Sequence, residues 1–308
     1  MELRVLQYFL AVSREQSISG AAESLHLSQP TLSRQLKDLE DELGKQLFLR
    51  GNRKITLTQE GMILRRRAEE IVNLVQKTEK EIALNDAAAA GDIHIGAGET
   101  DAIRLLAKAA VRLRKEHPGI RIHISSGDAA DVTDQLDKGL VDFGILFDPK
   151  DLSKYDYLRV PQKDAWGVLM RRDAPLAEKE AIRPEDLWEK PLILSRQHRE
   201  GSALAVWLGR AQADLNIVAT YSLLYNGAIL VDEGLGYALT LDKIINTNAS
   251  SLCFRPLTPK LSAGLCVVWK KYQVFTKAAE LFLNTLKDDW KQCQSKNAGF
   301  QKIKERTE

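Results

Sequence analysis

Hydrophobic residues at the start of the chain recur every three or four positions, and this spacing predicts short helices. They are predicted near residues 3–15, 20–25 and 28–44. In the third helix, Pro30 stands in the first turn, where its missing N–H costs no hydrogen bond, and Gly44 ends the helix. Alternating polarity around Gly51 then predicts a β-hairpin over residues 46–58.

A longer amphipathic pattern follows and predicts one helix over residues 59–88. Its apolar positions are spaced alternately by four and three residues, while the other faces carry charged groups. A narrow apolar seam between charged flanks favours pairing with a second helix of the same kind, and a long helix packed on its own domain is the alternative. The expected dimer seam consists of Leu64, Ala68, Ile71, Val75 and Ile82.

From residue 92 to about residue 290, strand-like and helix-like patterns alternate. This βαβ rhythm predicts parallel sheets covered by helices, in two α/β units with a cleft between them. The expected fold class of the whole chain is therefore α+β. The expected boundaries are 1–58 for a small helical domain, 59–91 for a linker helix and hinge, 92–293 for the α/β domain and 294–308 for a polar tail.

Charge is nearly balanced over the whole chain, since 44 Lys and Arg against 42 Asp and Glu give a formal net charge of +2. This balance excludes a protein that binds polyanions by bulk charge alone, so contact with nucleic acid has to come from local placement of charge. The predicted hairpin offers such a placement. Residues 43–59 contain four basic side chains and no acidic one. We expect this segment to contact phosphate.

Two short helices joined by a tight turn, the second opening with small polar residues, form a helix-turn-helix pattern. The first turns of the second helix then lie in the major groove, where Gln reads adenine, Arg reads guanine and the Thr methyl contacts thymine. Ser28 is expected to cap this helix. The expected DNA-binding residues are Gln29, Pro30, Thr31, Ser33 and Arg34 in the helix, and Arg50, Arg53 and Lys54 in the hairpin.

Several segments carry a family resemblance. The sequence AAESLHLSQP at 21–30 is followed by LSRQL at 32–36, ELG at 42–44 and LF at 47–48. In order and spacing, residues 1–65 closely resemble the winged helix-turn-helix of the LysR-type transcriptional regulators. An aromatic residue is common in that family where Ile18 stands, which is a minor departure. The resemblance identifies the chain as a sequence-specific, ligand-responsive transcriptional regulator.

The resemblance implies that the second half is a two-lobed effector-binding domain of the periplasmic-binding-protein type. By analogy, lobe I covers about 92–161 and 264–293, and lobe II covers about 162–263. Ligands of such folds bind beyond the carboxyl ends of the strands, where helix N-termini offer free N–H donors. The expected effector-binding residues are Thr100, as the leading single contact, and Ser126, Gly127, Asp128, Arg196 and Asn226.

The chemistry of the effector stays open at this point. The resemblance implies a small carboxylate, but Glu99, Asp101 and Asp128 flank the expected cleft and would repel an anion. Arg196 and Arg199 either offset these acids or are solvated loop charges. An amino acid, an amine and another polar metabolite are therefore candidates equal to a simple acid.

No metal site and no cofactor are expected. The three cysteines and five histidines lack the spacing of metal ligands, and His94 and His123 are interpreted as ordinary strand residues. After a transcriptional regulator, the second interpretation is a small-molecule binding protein or transporter component. An enzyme is the third, because no catalytic spacing of residues emerges. A duplex-binding assay separates the regulator from both.

The expected partners are double-stranded DNA, an unknown small-molecule effector and further copies of the chain. Pairing along the long helix gives a dimer, and the resemblance further implies a tetramer and contact with RNA polymerase. A cytoplasmic location is expected, because charges interrupt the N-terminal apolar residues and no stretch of roughly 18 apolar residues occurs.

Overall fold

The computed structural model describes residues 1–51, 54–83, 90–149, 151–198 and 200–304. The chain folds into two compact units, Met1–Asn85 and Asp86–Glu308, and each has its own hydrophobic core. Among the helices of this described part, none is long and apolar enough to cross a membrane.

The N-terminal unit is a winged helix-turn-helix, as the sequence predicts. Its elements are α1 (Leu3–Glu15), α2 (Ile18–Ser24), α3 (Gln29–Leu43), β1 (Phe48–Arg50), β2 (Ile55–Leu57) and α4 (Gln59–Ala83). Helix α2 begins earlier than predicted, because the Ser17 hydroxyl accepts a hydrogen bond from Gly20 N at 3.2 Å and caps the helix at that point. Residues 84–88 of the predicted long helix lie outside the described residues.

The core of this unit joins the helices to the hairpin. Leu32 and Leu36 of α3 are buried, and the Phe9 ring of α1 lies 5.1 Å from the Phe48 ring of β1. Ala68 of α4 is fully buried in the same cluster. The first half of the long helix is therefore held by the hydrophobic core of the DNA-binding unit.

The C-terminal unit is an α/β structure of two lobes. Lobe I begins with β3 (Gly91–Ala97), α5 (Ile103–Glu116), β4 (Ile120–Ser126), α6 (Ala129–Asp137), β5 (Phe143–Phe147) and β6 (Tyr155–Arg159). Lobe II contains β7 (Asp164–Arg171), β8 (Leu192–Ser195), α7 (Ala203–Leu208), β9 (Ile217–Tyr221), α8 (Leu224–Asp232), β10 (Tyr237–Leu241), β11 (Leu252–Pro256) and β12 (Ser262–Ala263). The chain returns to lobe I with β13 (Leu265–Lys270) and α9 (Lys277–Lys304).

Each lobe is built on one sheet, and both sheets are mixed. The order in lobe I is β4-β3-β5-β13-β6, and in lobe II it is β11-β7-β10-β8-β9, with β12 paired to β7. The expectation of parallel sheets is only partly confirmed, because β13 runs antiparallel to β5 and β7 runs antiparallel to β10. These two strands follow the crossings between lobes, and a crossing can return the chain in either direction. The parallel pairs β3–β4 and β8–β9 lie where the βαβ rhythm is unbroken.

Helix α9 is longer than expected. It continues through residues 294–304, which the sequence analysis assigned to a polar tail. Its N-terminal half carries the apolar positions, among them Phe282 and Leu286, which are fully buried against the sheet of lobe I. The polar composition after residue 293 ended the apolar pattern without ending the helix.

Gly61 lies in the first turn of α4, close to the backbone that leads into the hairpin. A Cβ atom here would lie 2.2 Å from Leu47 O, a separation that real Cβ atoms do not show. We expect Gly61→Ala to destabilise the N-terminal unit by about 1–3 kcal/mol, because the hairpin backbone has to shift. Chemical denaturation of the full chain measures this change.

Gly20→Ala is the matched control for this substitution. Gly20 lies inside α2, and its added Cβ would be at ordinary contact distance, 3.6 Å from Ser17 Cβ. Alanine in a helix interior is favoured over glycine by about 1 kcal/mol, so the control is expected to be neutral or stabilising. Equal effects of both substitutions would contradict the close approach at Gly61.

Candidate DNA-binding and effector sites

Helix α3 buries one face and exposes the other. Leu32, Leu36 and Leu39 face the core, and the opposite face holds short polar side chains at the start of the helix. The Ser28 hydroxyl accepts a hydrogen bond from Thr31 N at 3.3 Å, which caps the helix as expected. The structure brings together, on exposed or half-exposed positions, Gln29, Pro30, Thr31, Ser33 and Arg34.

Arg34 is the longest side chain of this predicted reading surface. Its guanidinium lies 4.0 Å from the Asp38 carboxylate one turn later, and 83% of the Arg34 side chain is exposed. An exposed pair at this distance restrains a side chain only weakly. Lys37 is exposed one turn after Ser33. It is not among the expected DNA-binding residues, because it lies beyond the first turns of the helix.

The hairpin is fixed to α3 by a residue whose role the sequence analysis missed. Glu40 Oε1 accepts hydrogen bonds from Leu47 N at 2.7 Å and from Phe48 N at 3.1 Å. The spacing of Glu40 to the hairpin, seven and eight residues, gave no sequence signal for this contact. The carboxylate therefore sets the position of the hairpin relative to the reading helix.

The basic hairpin is described in part. Strands β1 and β2 pair antiparallel, with Phe48 opposite Leu57, and Gly51 N donates to Lys54 O at 3.2 Å. Lys54 is exposed beside this turn. Arg53 lies outside the described residues, and so does the side chain of Arg50. Their expected contacts with phosphate stay predictions.

The expected dimer seam is divided by the structure along the length of α4, into a buried first part and an exposed second part. Ala68 is fully buried in its own unit and Leu64 packs against the same core, so that the expectation of a seam left unburied by the small domain is wrong for these two positions. The core of the small domain therefore buries the N-terminal part of this side of α4. The exposed apolar residues of the helix are Met62, Ile63, Ile71, Leu74 and Ile82, of which Ile71 and Ile82 belong to the expected seam.

In the C-terminal unit, the two lobes are joined by side chains across the predicted cleft. The Glu99 carboxylate of lobe I accepts a hydrogen bond from Leu224 N, the first amide of α8 in lobe II. A carboxylate at this position meets an amide that has no partner within the helix and the positive end of the helix dipole. Glu99 thus occupies the kind of position that the sequence analysis reserved for an anionic ligand.

Thr100, the leading expected effector contact, lies buried between the lobes. Its hydroxyl donates to Asp164 Oδ2 of lobe II and accepts from Ala102 N at 3.0 Å. Burial raises the pKa of Asp164 above its ordinary value, and the neighbouring Asp101 acts in the same direction. The hydroxyl was expected to be free for a ligand, but it holds the lobes together here. Its contact with an effector stays a prediction.

Asp128 and Arg196 form the third contact across the cleft. Arg196 donates from its guanidinium to Asp128 Oδ2 at 3.0 Å, while Asp128 Oδ1 caps α6 by accepting from Ala130 N and Asp131 N. The hydrogen bond from the Asp131 backbone lowers the pKa of Asp128, and the Arg196 guanidinium lowers it further. Of the two alternatives for Arg196, the structure thus favours neutralisation of an acid. Arg199 lies outside the described residues.

The remaining expected contacts line the same edge. Ser126 ends β4 and is exposed, and Gly127 donates from its amide to Ala97 O at 3.1 Å. A Cβ on Gly127 would lie 2.8 Å from Asp131 Cβ, which explains a glycine at this turn. Asn226 is exposed in the first turn of α8. These residues are brought to one edge of the two lobes, and their contact with a ligand is untested.

His198 was not among the expected contacts, although it follows Arg196 on the same loop. Its Nδ1 is buried and has no hydrogen-bond partner among the described residues. Burial also lowers the pKa of His198, so that the neutral imidazole is favoured. A buried ring nitrogen without a partner costs free energy, and a ligand donor near it would remove that cost.

The expectation that acids make this cleft repel anions is corrected by these contacts. Glu99 meets a helix N-terminus, Asp128 meets Arg196, and Asp101 accepts from the Arg104 guanidinium at 3.0 Å within lobe I. Each acid is neutralised or stabilised by a local partner. The count of acids along the chain therefore does not decide the charge that an effector meets.

Two family profiles match the chain. The profile of the bacterial regulatory helix-turn-helix protein, lysR family, matches residues 3–62, and that of the LysR substrate binding domain matches residues 86–291.

Relatives and solved structures agree with these matches. The Hca operon transcriptional activator HcaR of Escherichia coli is 29% identical over 278 residues, which covers 88% of this chain and 92% of that protein. The transcriptional regulator YvbU of Bacillus subtilis is 25% identical over 291 residues, 94% of this chain and 98% of that protein. The crystal structure of the LysR family regulator CbnR shares the fold, with a TM-score of 0.73 at 18% identity over 94% of this chain and 99% of that one.

The resemblance seen in the sequence is thereby confirmed, and the relatives named here are regulators of transcription. The profile of the effector-binding domain alone extends over more than half of the chain. With the winged helix-turn-helix at one end and two lobes joined across a cleft at the other, this chain belongs to the LysR family of DNA-binding transcriptional regulators.

Proposed function

We propose that this regulator binds a partly palindromic operator as a dimer, and that its binding to that operator changes when a small polar effector enters the cleft. The observation that carries the proposal is the set of contacts across the cleft, through Glu99, Thr100 and Asp128. Such contacts give the lobes a closed arrangement, and a ligand that prefers another arrangement shifts the equilibrium by its differential affinity.

The reading of DNA is assigned to the exposed face of α3. Gln29, Thr31, Ser33 and Arg34 reach base edges in the major groove, while Lys54 contacts phosphate beside the groove together with the two arginines of the hairpin. The capped start of α3 supports this assignment, because a fixed first turn places short side chains at a fixed depth. Glu40 supports it from the other end by holding the hairpin.

Dimer formation is assigned to an exposed apolar stripe of α4, which keeps Ile71 and Ile82 of the expected seam and adds Ile63 and Leu74. At about 100° per residue, Ile63, Ile71, Leu74 and Ile82 fall on one side of the helix. Apolar groups exposed in a row favour burial against an equivalent row. Two chains paired in this way present two reading helices to two half-sites, and a tetramer formed through the C-terminal units is the larger assembly we propose.

The effector is proposed to bind in the cleft between the lobes, with Glu99, Arg196 and His198 as its contacts. A donor on the ligand satisfies the buried His198 Nδ1, and an anionic group on the ligand competes with Glu99 for the start of α8. An amino acid carries both kinds of group, and a simple acid carries only the second. We further infer that the regulator acts on chromosomal DNA in the cytoplasm and contacts RNA polymerase there.

The first prediction concerns base reading. Arg34→Ala removes a bidentate donor from the major groove, so it should cost about 1–3 kcal/mol on the operator and relax the preference at one base pair. Lys54→Ala removes a phosphate contact, so it should weaken all duplexes alike and reduce the salt slope by about one unit. Binding of each variant to operator and random duplexes at several salt concentrations separates the two. Equal losses for Arg34→Ala on both duplexes would contradict the assignment.

The second prediction concerns the dimer. Ile71→Glu with Leu74→Glu places two charges on the exposed stripe, and we expect a monomer whose operator affinity falls by about 100-fold or more, because two linked half-sites no longer bind together. Light scattering and footprinting measure both effects. The control is Asn73→Glu with Gln76→Glu, which adds the same charge to exposed positions off the stripe. A dimeric double variant with normal binding would show that this stripe is not the interface.

The third prediction concerns the closed cleft. Glu99→Ala removes the acceptor from Leu224 N, and we expect amide exchange in the first turn of α8 to rise about 5- to 100-fold, as the loss of one such hydrogen bond implies. Hydrogen exchange with mass spectrometry on the full chain measures it. Arg210→Gln is the control, because Arg210 pairs with Glu189 within lobe II. Unchanged exchange at α8 would mean that Glu99 does not hold the lobes.

A further inference from the structure

Strands β3 and β4 bring together three side chains that the sequence analysis treated separately. The two strands pair in parallel, with His94 opposite His123 and Asp92 opposite Arg121. Residues two apart on a strand point to the same face, so Asp92, His94 and His123 share one face of the sheet. The cluster lies at its edge, because β4 is the outermost strand of lobe I.

The three side chains are close enough to share one ion. His123 Nε2 lies 3.2 Å from Asp92 Oδ1, and the imidazole rings of His94 and His123 stack with their centroids 4.8 Å apart and their planes at 15°. One ligand atom from each of the three residues lies within 4.8 Å of the others. In a tetrahedral zinc site, ligand atoms about 2.1 Å from the metal are roughly 3.4 Å apart, so the side chains have to rotate to bring their ligand atoms onto one ion.

We propose that Asp92, His94 and His123 form a binding site for a divalent transition-metal cation of the Zn²⁺ class. Two imidazole nitrogens and one carboxylate oxygen suit Zn²⁺, Cu²⁺ or Ni²⁺, while Mg²⁺ and Ca²⁺ prefer oxygen ligands alone. Three protein ligands leave a coordination position for water or for a group from outside the chain.

Arg121 is the competitor of the metal for Asp92. Its guanidinium donates to Asp92 Oδ1 at 2.7 Å and to Oδ2 at 3.3 Å, so that the carboxylate is paired before any cation arrives. The hydrogen bonds from Arg121 and His123 outweigh the effect of partial burial and lower the pKa of Asp92, which keeps it ionised. Metal binding replaces the Arg121 guanidinium by a cation as the partner of Asp92. Arg121 therefore has to release at least one of the two carboxylate oxygens.

The site is separate from the effector cleft. The cleft residue Ser126 ends β4, and Gly127 follows it. Asp92 lies near the start of β3, while His94 and His123 lie at the middle of their strands. Because β3 and β4 run parallel, the metal cluster lies nearer the start of both strands than the cleft residues do. A bound cation would cross-link β3 to the edge strand and stabilise lobe I.

The test is a calorimetric titration of ZnCl₂ into the full-length protein after treatment with a chelator. We expect one site per chain with a dissociation constant below about 100 μM. His123→Ala should weaken it by about tenfold or more, since one ligand of three is lost. His117→Ala is the control, because it removes a histidine of the same lobe outside the cluster, and it should bind Zn²⁺ as the unaltered protein does. Far-ultraviolet circular dichroism without metal checks that both variants fold.

Two further measurements decide the assignment of ligands. Arg121→Gln should tighten Zn²⁺ binding severalfold, because Asp92 is released from its ion pair, and Mg²⁺ should give no heat with any of the proteins. Wild-type binding by His123→Ala, or no Zn²⁺ binding below about 100 μM, would overturn the site and leave a stacked histidine pair that only lines the strands. Weaker binding by Arg121→Gln would overturn the role of Asp92 as a ligand.

Discussion

The burial of one face of helix α3 is the constraint on which the DNA-binding unit depends. Leu32, Leu36 and Leu39 hold the helix against the core, so the opposite face cannot turn inward. Ser28 fixes the first turn and Glu40 fixes the hairpin to the far end of the same helix. A surface of short side chains that contacts bases needs this rigidity. A hydrogen bond to a base is lost when the helix shifts by a fraction of the donor–acceptor distance.

A second constraint governs the C-terminal unit, where carboxylates that lie in the cleft require hydrogen-bond partners. Glu99 finds an amide at the start of α8, Asp164 finds the Thr100 hydroxyl and Asp128 finds Arg196. Each partner lies on the other lobe, so the same contacts that stabilise the acids also close the cleft. Under the proposed function, a ligand that takes one of these partners changes the balance between closed and open lobes.

The family resemblance rests on the first 65 residues, and most of the fold could be predicted from the chain. Helical spacing gave α1, α3 and α4, the hairpin followed from Gly51 and its alternating flanks, and the βαβ rhythm gave the two-lobed domain. Start and stop residues such as Ser28 and Gly44 act within one turn, so they leave a mark in the sequence. The antiparallel strands β7 and β13 left no such mark, because their direction is decided by how the chain crosses between lobes.

The sequence by itself therefore determined the elements, the class of protein and the exposed polar face of α3, since these depend on neighbours a few residues apart. The tertiary structure decided that Leu64 and Ala68 of α4 pack on the core of their own unit while Ile71 and Leu74 stay exposed. It also brought Glu99 to Leu224 and His94 to His123, pairs that lie far apart in the chain. Periodicity reports what a residue does within its own element, whereas the partner of a charge or of an imidazole is chosen by the packing of different elements against each other.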